Sequence, residues 1–98
     1  MILEIVKWNI KPNLEERFQE AFTDAQKYLI KSKGYQSHKL LKCIEIKNQY
    51  NLLVYWSTLE NHTIDFQQSN EYQKYKALMS QYLEEGTILQ HYQIIDIS

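Results

Sequence analysis

The chain has 98 residues, enough for one domain with one hydrophobic core. Lys plus Arg number 11 and Asp plus Glu 12, a formal charge of −1, so there is no basic stripe to neutralise phosphates and no nucleic-acid partner is expected. Hydrophobic residues are 44% of the chain, too many for disorder, yet no run approaches the ~20 apolar residues of a membrane span.

Residues Ile2 to Ile10 read as a strand with apolar groups on both parities: Ile2, Val6, Trp8 and Ile10 on one, Leu3 and Ile5 on the other. Lys11-Pro12-Asn13 breaks it. Asn13, with Glu16 three residues on, predicts a capped helix whose stripe is Leu14, Phe18, Ala21, Phe22, Ala25 and Leu29, ended by Gly34. Tyr35 to Ile46 and Tyr50 to Trp56 read as an antiparallel hairpin closed by Lys47-Asn48-Gln49. On its second arm Tyr50, Leu52, Val54 and Trp56 share one face, and Leu53 and Tyr55 the other. Ser57 and Glu60 stand in capping-box spacing before a short helix, Leu59 to Ser69, with Leu59, His62, Thr63 and Phe66 on one side. A third helix starts near Glu71, with the stripe Tyr72, Tyr75, Leu78, Met79, Tyr82 and Leu83. Thr87 to Ile97 is the closing strand.

No linker or internal repeat divides the chain, so residues 1–98 are expected to form a single α+β domain. The element order predicts a four-stranded antiparallel sheet with helices on one face. The helices cover one face only, and the strands are apolar on both. A second copy of the chain is the simplest cover for the other face, which predicts a homodimer packed sheet against sheet. Which parity forms that interface stays open. The lone Cys43 excludes an internal disulfide and a cysteine-based zinc site, and with the interrupted opening strand it suits a cytoplasmic protein. Cys43 itself reads as buried packing.

Gly34-Tyr35-Gln36-Ser37-His38-Lys39-Leu40-Leu41, the strand ending Leu52-Leu53-Val54-Tyr55-Trp56, Leu59-Glu60-Asn61-His62-Thr63 with Phe66 and Ser69, and Gln90-His91-Tyr92 together resemble the antibiotic biosynthesis monooxygenase family. The resemblance spans essentially the whole chain. It implies a ferredoxin-like protomer paired into a homodimeric α/β barrel. It also implies a cofactor-independent monooxygenase that oxidises quinols or polyphenolic aromatic substrates with dioxygen, using no metal and no flavin. Haem-degrading relatives carry Asn, Trp and His where this chain has Val6, Phe66 and Lys76, so haem degradation is disfavoured. Quinol-oxidising relatives carry histidines where this chain has Asp65 and Asn70, which weakens direct transfer of that activity. The pattern His62, Thr63, Phe66, Ser69 matches a less characterised branch. The alternatives are a non-catalytic dimeric small-molecule-binding or stress-related module, and a non-redox isomerase or lyase on the same fold.

His62 is the expected catalytic base, because an imidazole with pKa near ~6.5 suits an acidic phenol. Its competing reading is a buried histidine satisfied by a hydrogen bond. Trp56, Phe66, Tyr72, His91 and Asn51 are the expected substrate-binding residues, the aromatic ones forming a flat box that a core would fill equally well. Either His91 or His38 can meet His62 across the sheet, the strand register being left open by the sequence. Three widely spaced histidines make a poor metal signature, so no metal site is expected.

Overall fold

The structure, a computed structural model, describes residues 1–97. Strand β1 (Ile2–Asn9) leads into helix α1 (Glu15–Ile30), then the hairpin of β2 (Tyr35–Lys42) and β3 (Gln49–Trp56). A six-residue π-helix (Asn61–Phe66), helix α2 (Asn70–Met79), one 3-10 turn (Ser80–Tyr82) and strand β4 (Ile88–Gln93) complete it. The sheet order is β2-β3-β1-β4 with every neighbouring pair antiparallel. This is the expected α+β architecture, with the helices on one face. Among the described residues no helix is long and apolar enough to cross a membrane.

Strand alternation assigns the two faces. Val6, Trp8, Tyr50, Leu52, Val54 and Trp56 point to the helices and are buried. They meet Phe18, Phe22, Ala25 and Leu29 of α1 and Phe66, Tyr75 and Met79 from the second helical layer in one core. Trp8 meets Phe18 edge-on at 5.5 Å between ring centroids, and Phe18 lies 5.0 Å from Tyr50. Burying each such side chain contributes about 1.5–3 kcal/mol, so this cluster outweighs any surface contact. The other parity, Leu3 and Ile5 of β1 with Leu53 and Tyr55 of β3, is half-covered by its own neighbours and by no helix. Leu41, Ile88 and Tyr92 extend that open face and are exposed.

Several element ends differ from expectation for physical reasons. Asn13 does not cap α1: it adopts φ 66°, the N-cap is Leu14, and no side chain caps the helix. Strand β2 stops at Lys42 rather than Ile46, because Cys43 N–H turns back to the Gln49 carbonyl (2.9 Å) and Ile44 is left 93% exposed. Cys43 is accordingly half-buried in that turn. Strand β4 ends at Gln93 rather than Ile97 because its one partner runs out, Ile2 opposite Gln93 being the first pair. Ser69 does cap α2, accepting from Tyr72 N–H at 3.1 Å.

Candidate active site

The short segment after β3 is a π-helix rather than an α-helix, with Gln67 N–H donating to the His62 carbonyl five residues back. Such turns are rare and recur at functional sites. Its start is held by a reciprocal pair: Thr58 N–H donates to Asn61 Oδ1 (3.1 Å) and Asn61 N–H to Thr58 Oγ1 (3.2 Å). That is a capping box shifted one residue from the Ser57–Glu60 expectation. Asn61 Nδ2 also donates to Asp65 (3.0 Å). Gly34, at φ 80°, lies directly beneath, and a Cβ there would fall 2.0 Å from Asn61 Oδ1. Gly34 is therefore a close-approach glycine in the turn after α1, not the terminal residue of the helix.

This segment swings His62 and Phe66 inward, with His62 2% exposed. The His62 ring stacks on Trp56 at 5.4 Å and 28°. His62 Nε2 lies 3.3 Å from Glu4 Oε2, and Trp56 Nε1–H donates to Glu4 Oε1 at 2.9 Å. On its other side His62 Nδ1 meets His91 Nε2 at 2.7 Å. His91 reaches it because β4 pairs Glu4 with His91 directly across the ladder.

Burial dominates the electrostatics here. Desolvation pushes the Glu4 carboxyl from 4.5 up to about 7, against the Trp56 hydrogen bond, which favours the charged form. Burial, helped by His91, lowers His62 to about 4. Burial thus favours the uncharged form of both groups across the 3.3 Å contact, a protonated carboxyl and a neutral imidazole. Tyr75, buried in the cavity wall, is held well above its ordinary range by burial first and then by Glu4 and Tyr72.

Glu4 and His62 form the floor of a partly enclosed cavity of about 180 Å³, walled by Phe66, Tyr72, Tyr75 and Met79. Phe66 meets Tyr72 edge-on at 5.2 Å and Tyr75 at 5.5 Å, which fixes the wall. A cavity of roughly 150 Å³ holds one benzene ring, and pockets for larger ligands run to about 300–1,000 Å³. One aromatic ring fits within it.

Of the residues singled out in the sequence, His62, Phe66 and Tyr72 line this cavity. Trp56 stands behind it, supporting both His62 and Glu4. His91 backs His62 from outside the lining. Asn51 does not belong here: it pairs with Lys7 and Leu41 on the opposite face of the sheet, where its Oδ1 is buried without a hydrogen bond. His38 is also remote from His62, bonded to Tyr35 and to Gln26 (2.9 Å) between β2 and α1. Glu4 was missed, although it shares the parity of Val6, Trp8 and Ile10; a carboxylate in phase with a buried face was the available signal. Among the described residues no group of three or more His, Cys, Asp or Glu is arranged to hold a metal ion.

The fold and the cavity together define a small aromatic-lined α+β protein with a carboxyl–imidazole floor. Residues 1–78 match the family of antibiotic biosynthesis monooxygenases, and the chain belongs to that family. It is 41% identical over 93 residues to the uncharacterized protein YczJ of Bacillus subtilis (strain 168), covering 95% of this chain and 98% of that one. A crystal structure of a candidate antibiotic biosynthesis monooxygenase from Bordetella bronchiseptica superposes with a TM-score of 0.92 at 29% identity, covering 96% of each chain. SnoaB, a cofactor-independent oxygenase from Streptomyces nogalater, superposes at 0.82 with 10% identity over 97% of this chain and 93% of its own, a likeness of fold alone.

Proposed function

We propose that the protein is a cofactor-independent monooxygenase for single-ring quinols or phenols, working as a homodimer joined through the open faces of two sheets. The observation that carries this is the Glu4–His62 pair set into the floor of a one-ring aromatic cavity. A base titrating near the working pH is the most effective proton acceptor, and burial brings the Glu4 carboxyl there. A quinol hydroxyl gives its proton to the pair. The phenolate then passes one electron to dioxygen, and the two radicals combine at a ring carbon to form a peroxide. Breaking its O–O bond with loss of that carbon's proton leaves a new carbonyl and one water, and the acid form of the pair supplies the water's proton. The sum is quinol plus dioxygen to hydroxyquinone plus water, with every electron taken from the substrate. Excluding water from the cavity protects the intermediates. The dimer part rests on Leu3, Ile5, Leu53 and Tyr55, apolar side chains that no helix of their own protomer covers.

The test is oxygen consumption by the purified protein with methyl- or methoxy-substituted hydroquinones. Wild type is expected to consume one dioxygen per hydroquinone, and His62→Ala to lose about 100-fold or more in kcat/KM. Equal uptake by both proteins removes His62 from the mechanism. No uptake with any one-ring quinol removes the oxygenase reading and leaves a non-redox isomerase or lyase, or a binding module, on the same cavity.

A further inference from the structure

The cavity explains why His62 touches Glu4. It does not explain why the other nitrogen of the same buried ring is spent on a second histidine. We infer that Glu4, His62 and His91 form a proton wire from the cavity floor to the outer side of β4, through which the carboxyl exchanges its proton with solvent while the cavity is occupied. The inference deepens the reading of this site: it rests on Glu4 as the cavity's proton acceptor, but not on which substrate fills the cavity.

The geometry is a chain of two contacts through one ring, 3.3 Å from Glu4 Oε2 to His62 Nε2 and 2.7 Å from His62 Nδ1 to His91 Nε2. A neutral imidazole has one donor and one acceptor nitrogen, so a ring engaged on both sides transmits direction. Only two arrangements satisfy every contact with neutral rings. With Glu4 protonated, its O–H donates to His62 Nε2, His62 Nδ1–H donates to His91 Nε2, and His91 keeps its proton on Nδ1. With Glu4 ionised, His62 Nε2–H donates to the carboxylate, His91 Nε2–H donates to His62 Nδ1, and His91 Nδ1 is left as an acceptor. Passing from the first to the second breaks the Glu4 O–H, His62 Nδ1–H and His91 Nδ1–H bonds. It makes the His62 Nε2–H and His91 Nε2–H bonds and hands one proton to water. No ring turns over and no imidazolium is stored. Trp56 Nε1–H donates to Glu4 Oε1 in both states, so the carboxyl stays oriented throughout.

The two ends differ in access as a wire requires. Glu4 is 5% exposed and lies on the cavity floor, where a bound ring covers it. His91 lies outside the lining and is half-exposed on β4. The remaining titratable groups around the carboxyl do not compete as carriers. From α2, Tyr72, Tyr75 and Lys76 line the cavity, and burial holds the Tyr75 hydroxyl well above its ordinary range. From α1 only Leu29 reaches the lining, and β3 contributes the Trp56 indole.

The experiment is a pH titration of the ligand-free protein by long-range 1H–15N NMR, which identifies the protonated nitrogen of each imidazole. Between about pH 5.5 and 8.5, His62 and His91 are expected to move their proton from Nδ1 to Nε2 together, with one shared midpoint. In Glu4→Gln the shared swap is expected to vanish while the His38 ring, bonded to Tyr35 and Gln26, keeps its signals as a control on the fold. A single tautomer in either ring across the range, separate midpoints, or a doubly protonated His62 at neutral pH overturns the wire, and the wild-type titration alone is enough to decide this. Because no substrate is present, a missing swap leaves the oxygenase reading untouched, and missing oxygen uptake leaves the wire standing.

Discussion

At the scale of single residues, the defining feature of the site is a carboxyl and an imidazole buried against each other. Their opposite shifts make a prediction about stability with a definite sign. Between pH 4.5 and 7 the folded protein holds a Glu4 proton that the unfolded chain has lost, so Glu4 withdraws stability as pH rises through that window. His62 does the reverse: between pH 4 and 6.5 the unfolded chain holds the extra proton, so stability grows as pH rises. Each effect is on the order of 3 kcal/mol, and in the wild type they largely offset. Glu4→Gln removes one arm, so its urea midpoint is expected to climb between pH 4 and 6.5 where the wild type stays nearly level. Parallel pH profiles for the two proteins would mean that the Glu4 carboxyl titrates as it does in the unfolded chain, and a level profile for Glu4→Gln would mean that His62 does. His62, Phe66 and Tyr72 were legible in the sequence because helical spacing put them on one side of short segments. Glu4 was not, since one charge in a strand reads as an interruption until the face it shares is known to be buried. Asn51 was misplaced for the same reason: alternation ties it to Leu53 and Tyr55, but nothing in the sequence says which parity meets the helices.

At the scale of elements, the segment carrying His62 is the least regular and the most tightly specified. Its π turn cannot be read from periodicity, because a six-residue stretch has no room for a repeat. Its position is set from outside by Gly34, where any side chain would collide with the Asn61 amide and where φ 80° already disfavours one. Gly34→Ala is therefore expected to cost about 2 kcal/mol or more. It should also displace His62 from Trp56, read as a lower thermal midpoint together with a changed Trp56 fluorescence. A variant with wild-type stability and spectrum would show that the turn absorbs a methyl group without moving the π-helix. The longer elements were legible in kind and order, because α1, β1 and β3 each carry several turns or pairs of periodic apolar residues. Their ends were less so, being decided by partners: β4 stops where β1 has no more residues to offer, and β2 where the chain turns at Cys43.

At the scale of the molecule, the two faces of the sheet make different demands. Val54 is 0% exposed beneath the helices, whereas Leu53, one residue earlier, lies half-buried on the face without helices. Val54→Lys buries a charge in the protomer's own core and is expected to prevent folding. Leu53→Lys places the charge between two sheets if the dimer forms as proposed, and is expected to give a folded monomer in sedimentation equilibrium. A dimer surviving Leu53→Lys, or a wild type that sediments as one chain at micromolar concentration, argues against the sheet-to-sheet pairing. The need for a cover was visible in the sequence as strands apolar on both parities, but its side was not.

Strand β4 is hydrogen-bonded to β1 alone, at the rim of the sheet. Rim strands peel away at a fraction of the free energy that whole-molecule unfolding demands. Peeling lifts His91 off His62 while Glu4, on an inner strand, and His62, wedged beneath Trp56, keep their seats. The reactive floor is thus built on the firmest part of the molecule and its outlet on the loosest, so heating or mild denaturant should sever the connection to solvent before it disturbs the carboxyl.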